Sequence, residues 1–392
     1  MKMTNHRSII EESMQFIISR EDLVQVINHI QNIVAPKTPI PILSNFLLEA
    51  IDDRLVLTAT DLTVGVRCQC PARVIQPGST TLPAKRFSEL LRTLTASHIE
   101  ITTNERDVAT IKADASVFKM HGMPRADFPD LPDYSSATQI KFKQSELKDM
   151  FFRTAFAVSK EDTRYVFTGV CLQIINGYAR FIGTDGKRLA RASTLVPVEV
   201  VANCECIIPI KAVDEIMKML KQDDDDECIF FVMPDKVAVK ANDTIIVSKL
   251  LSGDYPDVEK VIPSQSNSFV TLHREELMAL LRQIALFTSE QSHSIRFSFM
   301  NGELHLNGGV MDVGEGKVSM PVNYDGPRFD IAFNPSFFLD ILRHSKNETV
   351  TMGFSDAFNP GIITDGDTKF QAQGELPSPL FVLMPMRLNE VL

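Results

Sequence analysis

The sequence contains no tryptophan and only 5 tyrosines among its 392 residues. Proteins that bind single-stranded nucleic acid without sequence preference stack bases on aromatic side chains, so this scarcity argues against that class. No run of 18 apolar residues occurs, which argues against a transmembrane helix. The first 13 residues are largely polar and lack an apolar signal core, so we expect a cytoplasmic and not an exported protein.

Sequence motifs of catalysis are also missing. The eight histidines never show the His-X-X-X-His spacing of a metal site, and no Gly-X-Ser-X-Gly elbow occurs. Gly186-Lys187 is followed by Arg188 where a Walker loop needs Ser or Thr. We therefore expect a non-catalytic protein with no cofactor and no metal. A hydrolase with an unrecognised site stays open as an alternative.

Six cysteines include two Cys-X-Cys pairs, at 68–70 and 204–206. Alternate strand residues share a face, so each pair could contribute to a zinc site. The two pairs occupy non-equivalent places in the repeat described below, which favours buried, reduced thiols.

The charge is unevenly distributed. The whole chain has 40 basic and 50 acidic residues and a net charge of −10, which argues against a protein that coats DNA with a basic surface. The predicted helices nevertheless hold 14 basic and 10 acidic residues. These helices are 20–33, 83–94, 145–160, 209–221, 273–286 and 335–346. Helix-dipole preferences explain where these charges lie along each helix but not the basic surplus, so a weakly basic helical face is indicated.

Four landmarks recur at intervals of about 125 residues, and repetition of this kind indicates tandem domains. A Thr-Asp pair ends a β-like run at 60–61 and again at 184–185. A helix start near Ser19 recurs near Gln144 and His273. A second helix begins near positions 83, 209 and 335, and Asp-Phe-Pro-Asp at 127–130 matches Asp-Tyr-Pro-Asp at 254–257.

Each repeat is predicted as strand, helix, several strands, helix and strands, which is an α+β fold with antiparallel sheets. The predicted divisions are a tail at 1–13 and three similar domains at 14–134, 139–263 and 268–392. In the third repeat Asn307-Gly308-Gly309 replaces the Thr-Asp turn. The apolar run 380–388 is either a final strand or, because two methionines flank a proline, an adaptable peptide-binding surface.

Three features carry a resemblance to a known family. They are Thr184-Asp185-Gly186-Lys187-Arg188-Leu189, the Phe128-Pro129 and Tyr255-Pro256 pairs, and the tail Met384-Pro385-Met386-Arg387-Leu388. In these features the chain resembles the bacterial DNA sliding clamps, the DNA polymerase III beta subunits, over residues 14–388. The resemblance implies three tandem clamp domains, each with two helices packed on antiparallel sheets, and a ring formed by a head-to-tail homodimer around duplex DNA.

The resemblance also implies partners and sites. The partners are duplex DNA, encircled without sequence specificity, and the DNA polymerase III catalytic subunit, the clamp loader, translesion polymerases and repair factors, which bind through short motifs that carry Gln, Leu and Phe. The implied motif pocket consists of Phe167, Thr184, Gly186, Lys187, Arg188, Leu189, Pro256, Val261, Asn334, Phe337, Phe358, Pro360, Val382, Leu383, Met384, Pro385, Met386 and Arg387. The implied DNA-facing residues are Lys37, Lys85, Arg86, Arg92, Arg164, Tyr165, Lys211 and Lys218. Ring closure would bring Phe118 and Met120 against Leu286 and Phe287 of a second copy.

Three departures from the family pattern bear on the pocket. Lys187 stands where His is frequent, Gly361 stands where Val is common, and residues 389–392 extend past the usual end. The first two could alter peptide preference. A competing interpretation is a repeat scaffold that binds proteins without DNA.

Overall fold

The computed structural model of the chain describes residues 13–34, 38–161, 163–196, 203–222, 226–288, 293–310, 314–369 and 376–387. These residues fall into two compact units. Unit one is built from 1–145 with 214–250, and unit two from 146–213 with 251–392.

Six α-helices occur in the described part of the chain, and each begins within one residue of its predicted start. They are α1 (Arg20–Ile30), α2 (Ala84–Thr93), α3 (Gln144–Thr154), α4 (Ile210–Met219), α5 (Arg274–Ile284) and α6 (Pro335–Arg343). Side-chain caps define three of the starts. His273 Nδ1 accepts a hydrogen bond from the Glu276 amide at 3.3 Å before α5. The Ser19 hydroxyl accepts a hydrogen bond from the Asp22 amide at 3.4 Å, and Asn334 Oδ1 accepts from the Ser336 amide at 2.9 Å.

The strands of the first repeat are β1 (Gln15–Ser19), β2 (Asn45–Ile51), β3 (Arg54–Thr60), β4 (Val64–Pro71), β5 (Arg73–Gln76), β6 (Gly78–Pro83), β7 (His98–Thr103), β8 (Val108–Ala113) and β9 (Ser116–His121). The second repeat has β10 (Thr138–Lys143), β11 (Gly169–Ile175), β12 (Tyr178–Thr184), β13 (Arg188–Leu195), β14 (Cys204–Pro209), β15 (Glu227–Val232), β16 (Lys236–Ala241) and β17 (Thr244–Lys249). The third repeat has β18 (Ser268–His273), β19 (Ile295–Met300), β20 (Glu303–Val310), β21 (Gly314–Pro321), β22 (Phe329–Phe333), β23 (Thr349–Phe354), β24 (Gly361–Asp365) and β25 (Leu380–Leu383). The order strand, helix, strands, helix, three strands thus occurs three times.

Unit one holds two antiparallel sheets, ordered β5-β1-β7-β8-β9 and β10-β15-β16-β17-β4-β3-β2-β6. The larger sheet joins strands of the first and second repeats where β17 pairs with β4, with Val247 opposite Gly65. A small apolar core within this unit contains Ile42, Leu47 and Phe128.

Unit two also holds two antiparallel sheets, ordered β14-β11-β12-β13-β25-β24-β23-β18 and β21-β20-β19-β22. The larger one joins the second and third repeats where β13 pairs with β25, with Leu189 opposite Val382. Because successive strand residues alternate sides, Phe381 and Leu383 pack into the core of the third repeat, whereas Leu380 and Val382 pack against Phe167.

The predicted turn at Asn307-Gly308-Gly309 is wrong, because these residues continue β20 and pair with β21. The glycines serve close packing instead. A Cβ on Gly316, which lies opposite Gly308, would be 2.9 Å from Phe287 Cδ2. The aromatic ring therefore occupies the space that side chains would otherwise fill.

Candidate protein-binding site

The Thr-Asp turn of the second repeat is held by its own side chains. Thr184 Oγ1 donates to the Arg188 carbonyl at 2.6 Å and accepts from the Gly186 amide at 3.1 Å. Asp185 Oδ1 accepts from the amides of Lys187 and Arg188 at 2.9 and 3.0 Å. Gly186 has a φ of +82°, a conformation that glycine adopts without strain. The motif therefore forms a rigid corner between β12 and β13.

A cavity of about 140 Å³ opens beside this corner within unit two. It is lined by Phe167, Thr184, Gly186, Arg188, Leu189, Pro256, Asp257, Val258, Val261, Val382 and Met384. Nine of these belong to the predicted pocket. Asp257 and Val258 were missed, although their place directly after Pro256 could have signalled them.

The floor of the cavity is apolar and its mouth is partly exposed. Phe167, Leu189 and Val382 are each at most 7% exposed, whereas Val261 and Met384 are 41% and 37% exposed. Such a combination suits the binding of an apolar side chain, because a buried apolar surface lies next to exposed apolar groups at the entrance.

Arg188 forms a fixed wall of the cavity. Its guanidinium lies 2.7 Å from Asp340 Oδ2 and 3.2 Å from Asp185 Oδ2, and it donates to the Phe156 carbonyl at 3.0 Å. The guanidinium also lies 4.7 Å from the Phe337 ring centroid. Phe337 is thereby connected to the cavity through Arg188, although it does not line it.

Other predicted pocket residues lie around the cavity and not in its lining. Lys187 is exposed, and its ammonium is 6.0 Å from the Phe337 ring centroid. The Met384 amide donates to the Lys187 carbonyl at 3.0 Å, and the Met386 amide donates to Ala332 at 2.7 Å. Pro385 is half-buried between them and Arg387 is exposed.

Four further predicted pocket residues do not line the cavity. Asn334 caps α6, and Leu383 is buried in the third-repeat core. Phe358 is 89% exposed, beside the half-buried Pro360. A Cβ on Gly361 would be 3.1 Å from Phe333 Cζ, so glycine at this position relieves crowding within the core.

The predicted DNA-facing residues are exposed wherever the structure describes them. This holds for Lys85, Arg86, Arg92, Arg164, Tyr165, Lys211 and Lys218, whereas Lys37 lies outside the described residues. Arg92 donates to Asn28 Oδ1 at 2.9 Å and Gln31 Oε1 at 2.6 Å. Lys218 lies 2.6 Å from Glu215.

Arg164 also belongs to the surroundings of the cavity, which the sequence did not indicate. Its guanidinium lies 4.2 Å from the Phe167 ring centroid, and a Cβ on Gly186 would be 3.4 Å from Arg164 Nη2. A cation over an aromatic face is attracted by the ring quadrupole, and this contact helps to fix the Phe167 side of the cavity.

The predicted interface residues lie on an edge strand in unit one and in the turn Ala285–Phe287 after α5 in unit two. Phe118 and Met120 are half-buried on β9, the edge strand of its sheet in unit one. In unit two, Leu286 is 76% exposed and Phe287 is half-buried, packed against the glycines of β20 and β21. Edge strands offer unpaired backbone groups for pairing with another chain.

Burial raises the pKa of the Cys68 thiol to about 11 and those of Cys70 and Cys206 to about 12, so these thiols are protonated at neutral pH. Within the described ranges, no group of three or more His, Cys, Asp or Glu side chains could hold a metal ion. No helix of the described residues is long and apolar enough to cross a membrane.

Comparison with known proteins covers all three repeats. Family models match residues 14–132, 141–257 and 259–378, and they describe the N-terminal, central and C-terminal domains of the DNA polymerase III beta subunit. A beta sliding clamp from Chlamydia muridarum is 49% identical over 377 residues, which cover 96% of this chain and all of the relative.

The fold matches solved clamp structures as well. The DNA polymerase III subunit beta of Pseudomonas aeruginosa is 28% identical, with a TM-score of 0.89, over 96% of this chain and all of that one. A second structure from that organism, with the same identity, coverage and TM-score, is bound to griselimycin. The predictions of three tandem clamp domains and of a sliding clamp are confirmed. The chain belongs to the DNA polymerase III beta subunit family, the bacterial DNA sliding clamps, which are processivity factors of a DNA polymerase and not catalysts.

Proposed function

We propose that the cavity in unit two captures short linear motifs of partner proteins. Nine of the eighteen predicted pocket residues line it, and the others belong to the proposed site as residues around the cavity or as structural support. The observation that carries this proposal is the buried floor of Phe167, Leu189 and Val382 next to the exposed Met384. Leu and Phe side chains of a motif would enter over this floor. A Gln side chain would bond to polar groups near Thr184.

The fixed position of Arg188 favours binding of this kind. Its guanidinium already holds Asp185, Asp340 and the Phe156 carbonyl, so little side-chain freedom is lost when a motif docks. A motif of a few residues would bind with roughly micromolar affinity, about −8 kcal/mol. Weak binding would let the polymerase III catalytic subunit, the clamp loader, translesion polymerases and repair factors exchange on one clamp.

We further propose that two copies close head to tail into a cytoplasmic ring around duplex DNA, with domains at 14–134, 139–263 and 268–392. Phe118 and Met120 of one copy would meet Leu286 and Phe287 of the other. Exposed basic side chains such as those of Lys85, Arg86 and Lys211 would face the duplex. Retention by a closed ring needs no strong grip on phosphates, and mobile, salt-screened contacts would allow sliding.

Replacing Met384 and Pro385 together by alanine tests the motif site. We expect loss of binding of a labelled Gln-Leu-Phe peptide in a polarisation assay, because the mouth of the cavity loses its thioether wall. The dimer, measured by sedimentation, should be unchanged because neither residue belongs to the predicted interface. Unchanged peptide affinity would contradict the assignment.

Loading onto circular DNA tests the ring. We expect the protein loaded on a nicked circle to remain bound through gel filtration and to be lost once the circle is cut to a linear form. Equal retention on both forms would indicate a surface binder. A stable monomer at micromolar concentration would also contradict encirclement.

A further inference from the structure

A second cavity, of about 240 Å³, lies in unit one beside the Thr-Asp turn of the first repeat. Its lining includes Thr60, Leu62, Leu131, Val247 and Lys249. It is separate from the motif site proposed above, because every residue that lines it belongs to unit one.

The turn beside this cavity has the same hydrogen bonds as its counterpart 124 residues later. Thr60 Oγ1 donates to the Val64 carbonyl at 3.0 Å and accepts from the Leu62 amide at 3.1 Å. Asp61 Oδ1 accepts from the amides of Thr63 and Val64 at 2.8 and 2.7 Å. Leu62, with a φ of +72°, holds the place that Gly186 holds in the other turn.

The walls of this cavity also correspond to those of the motif cavity in unit two. Val247 lies opposite Gly65 across β17 and β4, as Val382 lies opposite Leu189 across β25 and β13. A Cβ on Gly65 would overlap Leu131 Cδ2. Leu131, three residues after Phe128, therefore occupies the space beside Gly65. In the motif cavity of unit two the Leu189 side chain occupies the equivalent space, so both cavities have an apolar floor.

The charge at the mouth differs from that of the first cavity. Where Met384 follows Val382, Lys249 follows Val247 by two residues, and Lys236 lies directly opposite it on β16. Like charges directly opposite on neighbouring strands repel, and an anionic ligand would relieve this repulsion.

Nearby carboxylates balance these lysines only in part. Asp235 lies 2.5 Å from Lys236 Nζ, and Asp130, at the cavity, pairs with Arg125. Among the described residues, no carboxylate lies within ion-pair distance of Lys249, although Asp235 interacts electrostatically with both lysines. The mouth of the cavity thus keeps a cation available to an acidic ligand.

We propose that this cavity is a second motif site, which takes a peptide segment that combines an apolar side chain with neighbouring carboxylates. The apolar side chain enters between Leu62 and Val247, and the carboxylates meet Lys236 and Lys249. Binding here requires neither the motif site in unit two nor ring closure.

The absence of tryptophan from the chain allows a local test. Leu62→Trp places a single tryptophan at this cavity, and Val261→Trp places one at the motif cavity of unit two. Leu62 is 43% exposed and Val261 is 41% exposed, so both positions can accept a larger side chain. The probe is the acetylated peptide Glu-Leu-Asp-Leu-Phe-Asp, with a control peptide carrying Gln and Asn for the acids. We expect a saturable fluorescence change in full-length Leu62→Trp, with affinity about ten-fold weaker for the control peptide and after addition of Lys249→Glu.

Several outcomes separate this proposal from the motif site. Lys249→Glu should leave the response of Val261→Trp to a Gln-Leu-Phe peptide unchanged. No saturable change in Leu62→Trp at millimolar acidic peptide, or equal affinity with and without Lys249→Glu, would overturn the second site. A response of Leu62→Trp together with a silent Val261→Trp would support the second site and count against the first.

Discussion

The guanidinium of Arg188 lies 2.7 Å from the carboxylate of Asp340, across 152 residues of sequence. The contact joins the first residue of β13 to helix α6 within unit two. Both side chains are largely withdrawn from solvent, at 10% and 30% exposure. The wall of the motif cavity therefore depends on an ion pair between the second and third repeats.

Asp340→Ala should destabilise unit two by about 2–3 kcal/mol, because removing one partner leaves a mostly buried guanidinium without its closest carboxylate. Arg188 should also become mobile, so the affinity of a motif peptide should fall several-fold. Urea unfolding at neutral pH measures the first effect, and polarisation measures the second.

Arg343→Ala is the matched control for this variant. Arg343 contacts the same carboxylate at 3.0 Å but is 50% exposed, and exposed pairs contribute about 0–1 kcal/mol. Equal losses of stability in the two variants would show that the Arg188 contact contributes no more to stability than the exposed Arg343 contact.

Gly316→Ala should disturb the surface around Phe287. The added methyl group would lie 2.9 Å from Phe287 Cδ2 and 3.0 Å from Ile284 Cδ1, and overpacking of this kind costs about 1–3 kcal/mol. If Phe287 takes part in ring closure, the dimer of the variant should also have a higher dissociation constant. It should then be partly monomeric at protein concentrations at which the parent is still dimeric. Sedimentation measures the dimer fraction, and urea unfolding measures the stability.

Gly309→Ala provides a control on β20, the neighbouring strand. Its added methyl group would lie 3.5 Å from Glu315 Cβ, an ordinary contact distance, so both stability and dimer fraction should stay close to those of the parent. A dimer fraction that falls equally in both variants would contradict the role assigned to the Phe287 packing.

Sequence periodicity predicted the fold well because repeated local signals determine it. Helix starts follow from capping side chains before α1, α5 and α6 and from acidic residues in the first turns of α1, α3 and α5, and the 124-residue offset of the Thr-Asp turns follows from duplication. The turn predicted at Asn307 was wrong because glycine occurs both in turns and at places where another side chain packs closely against the backbone. Here it makes room for Phe287 within a continuous strand and does not end it.

The cavity was predictable only where residues are close in sequence or match the family pattern. The Arg188–Asp340 pair depends on strand register and helix position between repeats, which residue order alone does not reveal. The position of Arg164 over Phe167, three residues later, depends instead on the short 3-10 turn Tyr165–Thr168, which the sequence did not indicate. Asp257 and Val258 line the cavity because the turn after Pro256 folds back towards Leu189.

The six cysteines should differ sharply in reactivity towards a thiol-disulfide reagent. Burial raises the pKa of Cys68 to about 11 and of Cys70 and Cys206 to about 12, so little thiolate exists at pH 8. Cys204 is only half-buried, although burial also raises its pKa. We expect Cys204 to react first in the native protein and all six thiols to react quickly in urea. Rapid native reaction of Cys206, located by peptide mass mapping, would contradict the buried placement.

Asp365 should contribute stability that depends on pH. Desolvation acts to raise the pKa of this carboxyl, but hydrogen bonds from Arg153 at 2.8 Å and from the amides of Lys346 and Asn347 at 3.0 Å hold it below its ordinary value. A pKa that is lower in the folded state gives stability above the unfolded value, about 3.9 for Asp, which is lost as pH falls through the folded value.

At pH 7, Asp365→Asn should therefore lower the free energy of unfolding by about 3 kcal/mol, because the buried Arg153 loses one of its two carboxylate partners and keeps only Asp149. The Lys346 and Asn347 amides donate to different oxygens of Asp365. The single carbonyl oxygen of an asparagine can accept from only one of them, so the loss includes one of these hydrogen bonds as well as the Arg153 contact. The difference between the two proteins should shrink once the pH falls below about 4, where the parent carboxyl in the unfolded chain becomes protonated. Urea midpoints at pH 7, 5 and 3.5 measure this convergence. A deficit that stays constant over the whole series would show that Asp365 acts through its shape and not through its charge.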